Sequence, residues 1–165
     1  MDMFIEKIVK RRKNAVDMAI TAAVVIVALV ASFLLFLYVP GFSPLLVAGV
    51  LYLAYFIISK RNIEFEYAVT NGDLDIDSII NQKKRKRAFS ANCKDFELVA
   101  KVKSDKYSRE IKECKNVKDY SSHNEHADVW FIYMRQGAPT VILFEPTSQM
   151  IDNFYTFIPR KVFKY

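Results

Sequence analysis

The sequence predicts an α+β protein: a transmembrane α-helical hairpin, then a small domain of antiparallel strands closed by one C-terminal amphipathic helix. Three observations carry this. No Asp, Glu, Lys, Arg or His occurs from Met18 to Ser59. Apolar and polar residues alternate on both sides of Asn71-Gly72, the period of half-buried strands. Apolar residues recur at helical spacing after Thr147 and stop at Pro159.

A soluble helix rarely runs much past about twenty residues without a polar face, and one bilayer span needs roughly twenty apolar residues. The uncharged segment is long enough for two, at 18–39 and about 42–59, with "PGFSP" (Pro40–Pro44) as the turn. Lys60 and Arg61 stand where long side chains can reach headgroups. Lys7, Lys10, Arg11, Arg12 and Lys13 precede the first span, Lys60 and Arg61 follow the second, and the turn is uncharged. Both termini are therefore expected on the cytoplasmic side of a plasma membrane. "VALVAS" loosely resembles a signal-peptidase site, but the apolar run is too long for a signal peptide and a second run follows. The spans hold no ionisable group that would mark a transport path. Gly49 and the alanines at 19, 22, 23, 28 and 31 leave room for close helix packing in a homo-oligomer.

Residues 1–61 form the membrane part in this division, and 62–165 the domain. In the basic prelude, Met1, Phe4, Ile5, Ile8 and Val9 recur at helical spacing. They predict either a helix lying on the inner leaflet or an extension of the first span. "IEFEYAVT" then alternates as a strand, and Asn71-Gly72 is the signature of a type I′ hairpin turn. The return strand places Leu74 and Ile76 with Phe65, Tyr67 and Val69. Asp73, Asp75 and Asp77 join Glu64 and Glu66 on the opposite face, as a solvated acidic stripe partly neutralised by nearby cations. Further strands are expected at about 84–93 and 95–102. The polar segment 103–127 yields no order. "DVWFIYMR" is apolar on both faces, as a central strand is, and "QGAP" (Gln136–Pro139) turns it into "TVILFEP". Thr147 caps a helix whose stripe is Met150, Ile151, Phe154, Tyr155 and Ile158.

The stretches "IEFEYAVTNGDLDIDSIINQKKRKR" and "PTVILFEPTSQMIDNFYTFIPRKVF" resemble a family of small bacterial membrane proteins with a cytoplasmic PH-like domain. The resemblance covers 62–165 and implies a strongly bent antiparallel sheet closed by the C-terminal helix, without enzymatic activity.

Candidate chemistry is sparse. A calcium loop starting at Asp73 would need Gly and Glu where Ser78 and Lys84 stand. Cys93, Cys114, His123 and His126 lack the paired spacing of a zinc site, and the cysteines fall in a reducing compartment. His123 and Glu125 could form an acid–base pair, but no nucleophile motif or phosphate-cradling glycine loop accompanies them. No catalytic residue, cofactor or metal is expected. Seventeen cations against fifteen acids make 62–165 only mildly basic, which argues against a nucleic-acid partner.

The basic run Lys83, Lys84, Arg85, Lys86 and Arg87 follows the return strand, which brings it back toward the membrane end of the hairpin. With Lys60 and Arg61 it is the candidate lipid-headgroup contact. Read as loop residues, the five cations should be replaceable without unfolding. The expected function is a non-enzymatic membrane-anchored interaction or scaffold module with a protein partner. The alternative is an accessory subunit of a membrane enzyme or transport complex.

Overall fold

The computed structural model describes residues 4–135 and 137–164. Met1 of the prelude and Gln136 of the expected turn lie outside these residues. The chain divides into two compact units, one of residues 13–63 with 80–84, the other of residues 1–12, 64–79 and 85–165.

The first unit is a helical hairpin. Helix α1 (Ala15–Tyr38) starts three residues before the expected span because Asp17 accepts the Asn14 amide at 3.2 Å, holding an orphan donor of the first turn. At 24 residues it is about 36 Å long, enough to cross a membrane. Helix α2 (Ser43–Ser59) is shorter, at 17 residues, and Pro44 sits in its first turn, where no donor is lost. Along α1 and α2 the large apolar side chains stay mostly exposed, Phe33, Phe36, Leu45 and Leu53 among them.

The second unit opens with strand β1 (Phe4–Lys10), which corrects the expectation for the prelude. It is neither a leaflet helix nor an extension of α1. It pairs antiparallel with β2 (Ile63–Thr70) through seven positions, from Phe4 opposite Thr70 to Lys10 opposite Glu64. The apolar residues that mimic helical spacing divide by strand parity. Ile5 and Val9 are buried opposite Val69 and Phe65, while Phe4 and Ile8 stay exposed on the other face. The helical hairpin is thus an insertion between two paired strands, and the basic prelude belongs with the β-rich unit.

After β2, Asn71 (φ 50°) and Gly72 (φ 88°) make the predicted turn into β3 (Asp73–Ile80). Glycine is required twice over, since a Cβ at Gly72 would lie 2.8 Å from Cys93 Sγ. β4 (Lys84–Asn92) completes a sheet ordered β1-β2-β3-β4. A 3₁₀ turn at Cys93–Asp95 shortens the next strand, β5, to Leu98–Lys101. The segment that gave no order contains a single helical turn, α3 (Arg109–Lys112), and the exposed strand β6 (Asn116–Asp119). β7 (Trp130–Met134) is central and buried, and β8 (Thr140–Phe144) runs antiparallel beside it. α4 (Ser148–Phe157) and the short β9 (Val162–Phe163) finish the chain. The second sheet is ordered β6-β8-β7-β5-β9, antiparallel in its centre, with β6 and β9 added in parallel at its edges.

Thr147 caps α4 by accepting the Met150 amide at 3.3 Å. Met150, Ile151, Phe154 and Ile158 are buried as predicted. Tyr155 is 43% exposed, whereas Asn153 is buried, its Oδ1 accepting the Gly72 amide at 3.0 Å. The helix stripe therefore includes a polar anchor for the β2–β3 turn. Edge-on pairs Tyr67–Phe144 and Phe96–Phe154 fill the core.

Candidate functional site

The β3–β4 connection is built on Asn81 and Gln82, both in the left-handed region (φ 52° and 55°). Residues 81–83 join the two strands, and the Lys83 amide closes the turn on the Ile80 carbonyl at 3.2 Å. Residues 80–84 belong to the helical unit, where the Asn81 amide donates to Asn62 O at 2.8 Å. Lys83 and Lys84 therefore share that unit with Lys60 and Arg61, at the end of the hairpin where both helices meet their flanking chain.

Lys60 places its ammonium 4.3 Å from the centre of the Phe56 ring. Arg61 donates from Nε to Asp17 Oδ1 at 2.8 Å and makes a second contact through Nη2. Asp17 is 3% exposed, so this buried acid is neutralised by Arg61 at the helix base. Its signal was present in the sequence: an acid three residues after Asn14, at the edge of the uncharged segment.

The five-cation run divides by strand parity. Arg85 reaches Glu66 and lies 3.8 Å from Asp77, while Arg87 pairs with Asp75 at 2.5 Å and with Asp77. Lys83, Lys84 and Lys86 make no ion pair among the described residues. Arg85 and Arg87 are β4 residues facing the acidic stripe, so they are internal counter-ions, not free loop cations. The expected stripe is solvated only at its turn end, where Asp73 is exposed and Asp75 partly so, and the expected neutralisation by nearby cations is made by Arg85 and Arg87. Glu64, Glu66 and Asp77 are each less than a tenth exposed. Burial raises the Glu66 carboxyl above its ordinary value, with Arg85 opposing and Glu6 adding to the rise. The hydrogen bond to Asp77, above all, raises the Arg87 guanidinium further. The alternation Arg85/Arg87 opposite Asp75/Asp77 across a short turn was the sequence signal for this arrangement.

The remaining candidates do not assemble into a reaction centre. His123, at φ 58°, has Nδ1 3.2 Å from Ser121 Oγ and 3.6 Å from Asp119. Ser121 also donates to Asp119 at 2.7 Å and is 4% exposed. Serine and aspartate thus converge on one ring nitrogen, whereas a relay needs them on opposite nitrogens and an accessible nucleophile. Glu125 is outside this cluster, which instead holds the loop before β7. Cys93 is buried, and burial raises its thiol. Cys114 donates to Pro139 O at 3.0 Å. Among the described residues, no three His, Cys, Asp or Glu side chains are grouped to hold a metal.

The family described as "bacterial PH-like domain (DUF6106)" matches residues 1–164. The match takes in β1 and the helical insertion as well as the segment from residue 62. No curated protein and no solved structure matches the chain.

Proposed function

This chain belongs to the bacterial PH-like domain family, and from that membership we propose a non-enzymatic, membrane-anchored interaction module whose domain is interrupted, between its first two strands, by a hairpin that crosses the bilayer twice. The carrying observation is the seven-position pairing of β1 with β2 across the insertion. Paired strands must lie in one compartment, so the chain between them crosses the membrane an even number of times. α1 is long and apolar enough to cross, and an even number of crossings favours α2 as the return. Its 17 residues give about 26 Å, near the lower limit for a span. The cations flanking both helix bases favour the cytoplasmic side for the domain.

Lys83, Lys84 and Lys86, with Lys60, are the headgroup contacts in this reading, whereas Arg61 is engaged by Asp17 and Arg85 and Arg87 act within the sheet. Lysines beside an anionic leaflet gain about 1 kcal/mol each, enough to set how the domain is presented to a protein partner without being the anchor. The test is photo-crosslinking of the full-length protein, reconstituted with a photoactivatable anionic lipid. Adducts are expected on residues 80–87, falling as salt is raised and lost in a Lys83→Gln/Lys84→Gln/Lys86→Gln variant. Unchanged adducts in that variant would remove the lipid contact from the account.

A further inference from the structure

We propose that the outer edge of β1 pairs antiparallel with the same edge of a second copy, setting Ile8 opposite Ile8 and Glu6 opposite Lys10 of the partner subunit. An exposed strand edge is a template for another chain, and proteins guard such edges with shortness, clustered charge, proline or bulges. The two sheets end in four edges. β6 has four residues and β9 two, and β4 opens with Lys84, Arg85, Lys86 and Arg87. β1 has seven residues in unbroken register with β2, with no proline or glycine. Its inward-pointing Lys7 would also deter pairing, but the ammonium is tied down by the Glu145 carbonyl at 2.8 Å. Among the described residues, the backbone of 4–10 has no partner element besides β2.

The occupant follows from charge and shape. On the outer face β1 presents Phe4, Glu6, Ile8 and Lys10, with Phe4 64% and Ile8 56% exposed. Opposed residues of antiparallel strands share a face. A dyad at Glu6 or at Lys7 would set like charges against each other. A dyad at Ile8 joins the two isoleucines and forms the Glu6–Lys10 pair twice, as a symmetric interface requires. The pairing does not depend on the lipid contact.

The test uses the full-length protein at low protein-to-lipid ratio, with Cys93→Ala and Cys114→Ser. Cysteine is placed singly at Ile8 or, as a control, at Val117 on the exposed edge strand β6. A short bis-maleimide should give dimers with Ile8→Cys and few with Val117→Cys. Adding Glu6→Lys should reduce the yield roughly fivefold to tenfold, since it turns two attractive cross-strand pairs repulsive. Adding Lys10→Glu to that variant should restore it, which a general folding defect would not permit. No dimer from Ile8→Cys, equal yields at Val117, or indifference to the charge reversal would each overturn the proposal.

Discussion

Removing β1 should damage the domain far more than removing the entire helical hairpin. Two variants make the comparison: deletion of residues 1–12, and replacement of 13–61 by a three-residue Gly-Asn-Gly turn joining Arg12 to Asn62. Lys10 and Glu64 are register partners, so their Cα atoms are about 5 Å apart, a gap easily spanned by Arg11, Arg12, the new turn, Asn62 and Ile63. The replacement keeps Ile5 and Val9 in the core, where they are 9% and 6% exposed. The deletion loses them. At about 1.5–3 kcal/mol for each buried side chain the loss is roughly 3–6 kcal/mol, against a typical total stability of about 5–15 kcal/mol. It also strips β2 of its ladder partner. Trp130, the sole tryptophan, is 6% exposed and reports unfolding by fluorescence in urea. The replacement should be soluble without detergent and unfold cooperatively. The deletion should unfold at least about 1 M lower in urea, or not fold, given about 1–3 kcal/mol per molar. A deletion variant with the midpoint of the intact protein, beside a replacement that does not fold, would refute the strand assignment and the parity argument with it.

Other consequences can be read in the same unfolding assay. Arg85→Gln/Arg87→Gln should lower the unfolding free energy by roughly 1 kcal/mol or somewhat more, because it strands nearly buried carboxylates, while Lys83→Gln/Lys84→Gln/Lys86→Gln should stay within about 0.5 kcal/mol. For Glu66 the folded carboxyl titrates above its ordinary 4.5, so the folded state holds a proton that the unfolded state has already released. Stability relative to Glu66→Gln should therefore fall as pH rises from 4.5 through the folded pKa and then level off; a difference that grows with pH would reverse the assigned cause. Gly72→Ala should cost about 1–2 kcal/mol for the left-handed backbone alone, and more for the contact with Cys93, with Asn71→Gly nearly neutral by comparison.

Much of the domain was legible because its signals are local. Asn71-Gly72 fixes a turn that only left-handed residues fit, and Thr147 caps a helix from its own neighbourhood. The prelude was misread because Phe4, Ile5, Ile8 and Val9 satisfy a helical period and a strand parity equally well. Only a partner sixty residues away decides between them. Arg85 and Arg87 were grouped with the lysines for a related reason. Strand parity separates neighbours along the chain, and nothing within the run states which residues face the acids. Asn153 and Asp17 were overlooked as polar residues beside apolar ones, although burying a polar group with a bonded partner is ordinary. The helical turn and the strand between 103 and 127 carry too little apolar pattern to register, since β6 is an exposed edge held by its neighbour β8.

A hairpin that crosses the bilayer twice puts the two ends of the insertion on one side of the membrane and its turn on the other. Single cysteines at Glu6, Gly41 and Ser90, all exposed positions, in the Cys93→Ala/Cys114→Ser background, can be probed on intact cells with a membrane-impermeant maleimide. Gly41→Cys should be labelled directly, and Glu6→Cys and Ser90→Cys only after permeabilisation. Labelling of Glu6→Cys and Ser90→Cys from opposite sides, or of all three from the same side, would contradict a hairpin that crosses the bilayer twice between paired strands.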